Sequence, residues 1–192
     1  GWVLPRVANQ MTPAFTVIVG GAVSWRDQST YYSRVRMMSE GVPETEIVQR
    51  LVDRNLTNDA LFKTPIGPAP MTDTNPARFR FVADAYWEDS TAMISGMMGP
   101  VLAIWGEEDL NVDAHSDAAN YQEQLTPLTE DRRVVMVQNA THGLLRADLY
   151  NYQLSSDWPW YLQYVFMGMG RDAFAQHSLD QIVNWVLTVV KK

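Results

Sequence analysis

Cysteine is absent from the 192 residues. Its absence excludes a thiol nucleophile, a disulfide scaffold and any zinc site built on cysteine. It leaves the cellular compartment open, because a chain without cysteine suits reducing and oxidising surroundings alike. Charge is also sparse: 19% of residues are Asp, Glu, Lys or Arg, against about 25% in typical soluble domains. Together with 46% apolar residues, this excludes a disordered polyelectrolyte. Basic residues are the minority, 15 against 22 acidic, for a net charge of −7. With no basic cluster, the chain is a poor nucleic-acid binder. Long apolar runs are missing as well. None approaches the roughly 18 to 20 residues of a membrane span, so no membrane-spanning segment is expected. No internal repeat or low-complexity tract breaks the chain, and the length suits one domain of ordinary size.

What is present is a set of short β-rich runs separated by helical patterns. Ala14-Phe15-Thr16-Val17-Ile18-Val19 stops at Gly20-Gly21, Pro100-Val101-Leu102-Ala103-Ile104-Trp105 stops at Gly106, and Arg133-Val134-Val135-Met136-Val137 follows. Each reads as a buried strand. Around them the periodicity predicts helices. Residues 1–10 form one that begins at or just before Gly1, because Pro5 is tolerated only in a first turn. Further helices are predicted over 27–40, closed by Gly41 and Pro43, over about 44–55, over 79–98 and over 114–125. A proline-rich stretch at 57–78 shows little periodicity. The chain closes on an amphipathic helix carrying Leu179, Ile182, Val183, Val186, Leu187 and Val190. Ser178 and Gln181 there have the spacing of a capping box, and Lys191 and Lys192 suit the negative end of the helix dipole. Residues 150–175, rich in aromatics and methionine, read as a buried or cleft-lining insertion. Strands alternating with helices predict an α/β fold with a parallel sheet.

In an open α/β sheet, reactive groups sit just past the carboxyl ends of strands. The second strand is followed by Gly106-Glu107-Glu108-Asp109-Leu110-Asn111-Val112, and the third by Gln138-Asn139-Ala140-Thr141-His142-Gly143. An acid that accepts a hydrogen bond from imidazole Nδ1 fixes the tautomer and leaves Nε2 as a general base. Asp109 and His142 at neighbouring strand ends are therefore the candidate acid and base. Taken singly, Asp109 reads equally well as a turn residue or helix cap, and His142 as a hydrogen-bonded loop histidine; the pairing favours chemistry. Glu107 and Glu108 compete as the acid. Asp109, Asp113, His115 and Asp117 form a cluster that resembles a metal site only if their side chains converge. His115 and His177 read as surface residues. No organic cofactor and no required metal are implied.

The run Pro100-Val101-Leu102-Ala103-Ile104-Trp105-Gly106-Glu107-Glu108-Asp109, followed by Asn139-Ala140-Thr141-His142-Gly143, resembles the C-terminal part of the α/β-hydrolase-fold serine hydrolases, closest to bacterial carboxylesterases. That family has a strand, Gly-x-x-Asp, a helix, a strand and then His-Gly. The resemblance implies that Asp109 is the triad acid and His142 the triad base, in the family order of Ser, acid, His. Gly1-Trp2-Val3-Leu4-Pro5-Arg6-Val7-Ala8 also looks like the helix after the family's nucleophile elbow. On that alignment the serine lies about two residues before Gly1, and the 192 residues alone are expected to be inactive. The implied layout is 1–35 for the helix and strand after the nucleophile, 36–98 for a helical cap insertion, and 99–192 for the hydrolase core carrying acid and histidine. Within the chain, Ser24 is the nearest imitation of an elbow serine, but it lacks the flanking glycine that a strained elbow needs. The implied substrate is a small ester or acyl compound. A peptidase, thioesterase or acyltransferase with the same triad is the alternative, as is a non-catalytic piece. Self-association through an open strand edge is a further expectation.

Overall fold

A computed structural model describes residues 1–63, 75–129 and 131–191. Part of the proline-rich stretch, residues 64–74, lies outside these, as does Lys192. The chain divides into two compact units, one made of Gly1–Val23 and Ser90–Lys192, the other of Ser24–Asp89.

The first unit is mixed α/β and contains a three-stranded, fully parallel sheet. Its elements run α1 (Val3–Gln10), β1 (Thr16–Val19), and, after the second unit, α5 (Thr91–Ile94), β2 (Val101–Gly106), α6 (Ala114–Gln124), β3 (Arg132–Val137), α7 (Ala147–Tyr150), α8 (Leu162–Met169) and α9 (Ser178–Val190). The strand order is β1-β2-β3. Thr16 lies opposite Val101, and the β2–β3 register runs from Val101 opposite Arg132 to Gly106 opposite Val137. All six residues of β2 are buried, as expected for a central parallel strand with helices on both faces.

Alternation along β2 splits the core in two. Val101, Ala103 and Trp105 pack with Ala8 of α1, Ile94 of α5, and Ala118 and Tyr121 of α6. Ile104 points the other way and packs with Val137, Ala140, Leu144 and Ala175, against which Ile182 of α9 is laid. Trp105 fixes its layer twice over. Its indole Nε1 donates to the Gly21 carbonyl at 3.2 Å, and its ring lies 5.2 Å from that of Tyr121. Burial, with the nearby Asp117 carboxylate, raises the Tyr121 phenol well above its ordinary range.

The helix ends depart from the sequence expectation in instructive places. α1 starts at Val3 rather than at or before Gly1, with Trp2 as its cap residue. Pro5 is still in the first turn, where a missing N–H does no harm. The capping box at α9 does not form. His177, in the left-handed conformation at φ 63°, is the cap residue. Ser178 is already helical, and its hydroxyl donates back to the Ala175 carbonyl at 2.7 Å. The insertion at 150–175 is buried on one side only. Tyr150, Leu162 and Ala173 form a small core with Trp158 and Phe166 against it, while Trp160 and Met167 are 79% and 67% exposed.

The second unit is helical among its described residues: α2 (Trp25–Ser39), α3 (Glu44–Leu61) and α4 (Pro76–Ala85). It begins at Ser24 because α2 packs on α3 and because Ser24 and Asp89 form an antiparallel bridge that joins its two ends. Gly41, at φ 76°, makes the left-handed turn between α2 and α3 that residues with a Cβ avoid. α3 runs on to Leu61 rather than stopping near residue 55, so the helical pattern continues into the sequence read as loop. Phe62, Phe79, Ala83 and Tyr86 make the core, with Trp25 and Val82 packed on it. A polar knot sits beside it. Arg26 donates to both oxygens of Asp59, at 2.8 and 2.9 Å, and the Tyr86 hydroxyl donates to Asp59 at 2.6 Å. The Arg26 bond first, and the Tyr86 bond second, hold the Asp59 carboxyl down to about 2.

Two outcomes follow from these cores. Ile104→Ala, at a fully buried position, lowers stability by about 2–5 kcal/mol in urea unfolding, while Val183→Ala, 52% exposed, stays within about 0.5 kcal/mol. Asp59 is depressed from 3.8 to about 2, so its contribution is fully present above pH 3.8 and is lost as pH falls through 2. Acid titration of helicity therefore shows a loss between those values that Asp59→Asn removes. An unchanged acid profile in Asp59→Asn contradicts it.

Candidate active site

The site begins with two loops held together by the sheet itself. Past the end of β2, the Glu107 N–H donates to the Val137 carbonyl and the Glu108 N–H to the Ala140 carbonyl, both at 2.9 Å. The β2–β3 ladder thus continues one turn beyond the strands, tying the loop that carries Asp109 to the loop that carries His142. Gly106 is where the two loops cross. A Cβ there would run into the carbonyls of Ala140 and Thr141, so the close approach needs glycine.

Glu107 and Glu108 occupy the outside of this turn and are exposed, whereas Asp109 turns inward and is 3% exposed. Its Oδ1 accepts from the backbone N–H groups of Asn111, at 2.7 Å, and Val112, at 3.0 Å. This is an Asx-type turn, in which a short acidic side chain replaces a backbone acceptor. It fixes the carboxylate so that Oδ2 faces the next loop. There Oδ2 meets Nδ1 of His142 at 2.9 Å. The Asp109 side chain is wholly buried and that of His142 is 41% exposed. A longer Glu at either preceding position lies on the solvent side of the turn and does not take this place.

His142 stands at the tip of a tight loop. The Leu144 N–H donates to the Thr141 carbonyl, the Thr141 N–H to the Leu145 carbonyl, and the Leu145 N–H to the Thr141 hydroxyl. Asn139 and Leu144, at φ 52° and 61°, supply the left-handed turns on either side. The loop is anchored behind by the Arg146 N–H to the Ala173 carbonyl and the Ala175 N–H to the Leu144 carbonyl. With Nδ1 engaged by Asp109, Nε2 is the ring nitrogen left for proton transfer.

Gly20 completes the seat, a role that sequence reasoning missed. It follows β1 at φ 57°, and a Cβ on it would lie 2.7 Å from His142 Nδ1 and 2.8 Å from Cε1. Its own N–H donates to the Ile104 carbonyl, so the backbone cannot retreat. The Gly20-Gly21 pair at the strand end was the signal, but in the sequence it reads equally as a strand terminator. All three strands therefore contribute at their carboxyl ends: Gly20 behind the ring, Asp109 as acceptor and His142 itself.

The remaining sequence candidates have structural duties. Ser24 is the N-cap of α2 and accepts from the Asp27 N–H. Asp113 is the N-cap of α6, accepting from the Ser116 N–H, and Asp117 accepts from the Val23 N–H. His115 is exposed. These side chains serve backbone groups instead of converging, and no group of three or more potential metal ligands occurs among the described residues. His177 caps α9 and stands 3.8 Å from Asp180. A cavity of about 570 Å³ is lined by Asn139, Arg146, Arg171, Phe174, His177 and Asp180 among others, and includes neither Asp109 nor His142. No helix among the described residues is long and apolar enough to cross a membrane. Comparison with protein-family models, with curated proteins and with solved structures finds no match for this chain.

Gly20→Ala tests the seat. It incurs the left-handed backbone strain of about 1–2 kcal/mol that any Cβ incurs at positive φ, and in addition displaces the imidazole. Gly41→Ala is the control, because it has the same strain with open space around its Cβ. In proton NMR, the Nδ1–H resonance of His142 is expected to shift or vanish in Gly20→Ala and to stay in place in Gly41→Ala. An unmoved resonance in both refutes the role assigned to Gly20.

Proposed function

We propose that this chain carries the acid and base of a serine hydrolase of the α/β-hydrolase fold, acting on small carboxylic esters. The supporting observation is the buried Asp109 carboxylate, oriented by two backbone N–H groups and bonded to His142 Nδ1 at 2.9 Å, at the carboxyl ends of adjacent parallel strands. The resemblance of the Gly106–Asp109 and His142-Gly143 segments to bacterial carboxylesterases adds the reaction class.

In this reading a serine hydroxyl attacks the ester carbonyl carbon while its proton passes to Nε2 of His142. The imidazolium so formed has two N–H donors, and the one at Nδ1 points at Asp109, which stabilises the charge. The C–O bond to the alcohol breaks as Nε2 returns its proton to the departing oxygen, leaving an acyl-serine. A water molecule, deprotonated by the same Nε2, releases the acid and regenerates the serine. Asp109 holds the tautomer throughout and takes no proton. Ser24 caps α2, and the resemblance to the family implies that the nucleophile is an elbow serine upstream of Gly1. Backbone N–H groups beside that serine would supply the oxyanion hole. The second unit, Ser24–Asp89, takes the part of the helical cap insertion.

The test is made on the intact protein. A fluorophosphonate probe should label one serine. Turnover of p-nitrophenyl esters should fall by about four orders of magnitude in Asp109→Asn, which permits the wrong tautomer, and by a comparable amount in His142→Ala. Full activity in His142→Ala overturns the assignment. A panel of matched esters, amides and thioesters then identifies the bond that is cleaved.

A further inference from the structure

Within the second unit, a cavity of about 270 Å³ is lined by Tyr32, Ser33, Arg36 and Met37 of α2 and by Arg50, Leu51 and Arg54 of α3. Three arginines thus line one small opening in a chain whose net charge is −7. Their surroundings differ. Arg36 pairs with Glu40 at 3.0 Å, and both side chains are well exposed. Arg50 pairs with Glu46 one turn away, also at the surface. Arg54 is half-buried, and no carboxylate pairs with it among the described residues. Its two terminal nitrogens donate to the hydroxyls of Ser33 and Ser29, the latter at 2.8 Å. Its Nε is buried and has no acceptor among the described residues. Burial without a counter-charge pulls the Arg54 guanidinium below its ordinary range.

A guanidinium offers five donors and no acceptor, and burying a charge is costly unless it is paired. Two neutral hydroxyls meet part of that demand. No carboxylate among the described residues meets the rest. Arg36 and Arg50 each have a carboxylate beside them, so Arg54 is the cation on which a single carboxylate is placed. The buried Leu51 side chain and the Met37 and Tyr32 side chains line the same opening and favour an apolar body. At about 270 Å³, the space is just below the roughly 300–1,000 Å³ of most ligand pockets, so the ligand is small.

We propose that this cavity binds a small carboxylic acid with an apolar body, its carboxylate on Arg54 with Arg36 and Arg50 at the rim. The site lies wholly within Ser24–Asp89 and does not rest on the roles assigned to Asp109 and His142.

Isothermal titration calorimetry of the 192-residue chain with sodium hexanoate is the test, with 1-hexanol and inorganic phosphate as comparators. Hexanoate should bind at one site per chain. Its affinity should fall by about tenfold or more in Arg54→Met, the scale of a lost charge-assisted hydrogen bond. Arg50→Gln should weaken it severalfold. Arg50 is exposed, so that variant keeps the fold and decides the matter should Arg54→Met not fold. Absence of hexanoate binding, or unchanged affinity in the folded variants, overturns the site. Hexanol binding as tightly as hexanoate overturns the role of the carboxylate, and phosphate binding as tightly overturns that of the apolar body.

Discussion

A strand that is hydrogen-bonded along both edges and buried on both faces leaves only its ends free to carry chemistry. β2 is that strand, and the arrangement of the first unit follows from it. Its alternating side chains build two separate cores, one around Trp105 and one around Ile104. Its parallel pairing with β1 and β3 brings three carboxyl ends to the same edge of the sheet. The ladder extends past β2 through Glu107 and Glu108, so the loops beyond the strands inherit the rigidity of the sheet. The placing of Asp109 against His142 is a property of that sheet as much as of the two residues.

Burial and exposure are divided unequally between the partners, and the division has a chemical sense. The Asp109 carboxylate is fully buried and held by two backbone donors, so it has one orientation. The His142 side chain, by contrast, stays 41% exposed, as the proposed role in proton transfer requires. Gly20 and Gly106 contribute by what they lack: each marks a place where a single Cβ would push apart groups that must touch. The second unit shows the opposite economy. Its core is small and aromatic, and its ion pairs are mostly exposed ones worth little each. The Arg26–Asp59–Tyr86 knot and the half-buried Arg54 are the exceptions, and they are where its polar specificity is concentrated.

Much of the first unit could be read from residues alone. The three apolar runs that stop at Gly20, Gly106 and just after Val137 are strands within two residues of the expected limits, but only β2 is buried throughout; β1 and β3, expected to be buried, are partly exposed because each pairs along one edge only. The pairing of Asp109 with His142 was legible because chemistry in such sheets gathers at carboxyl ends. The capping box at Ser178 and Gln181 does not form because a left-handed His177 is the cap residue, which places Ser178 inside the helix. The aromatic segment at 150–175 was half misread. Composition signals burial, but one face of α8 has no neighbour among the described residues, and Trp160 and Met167 stay exposed.

The sequence by itself determined the α/β alternation, the strands, and the candidate acid and base, since these depend on local periodicity and on the nature of single residues. Only the tertiary structure decided which carboxylate of Glu107, Glu108 and Asp109 turns inward, that Ser24, Asp113 and Asp117 serve backbone N–H groups, and that Gly20 backs the imidazole. It also decided that Arg54 is half-buried with no carboxylate partner among the described residues, while Arg36 and Arg50 have theirs. Each of these depends on which groups from distant parts of the chain compete for the same few ångströms, and residue spacing carries no record of that competition.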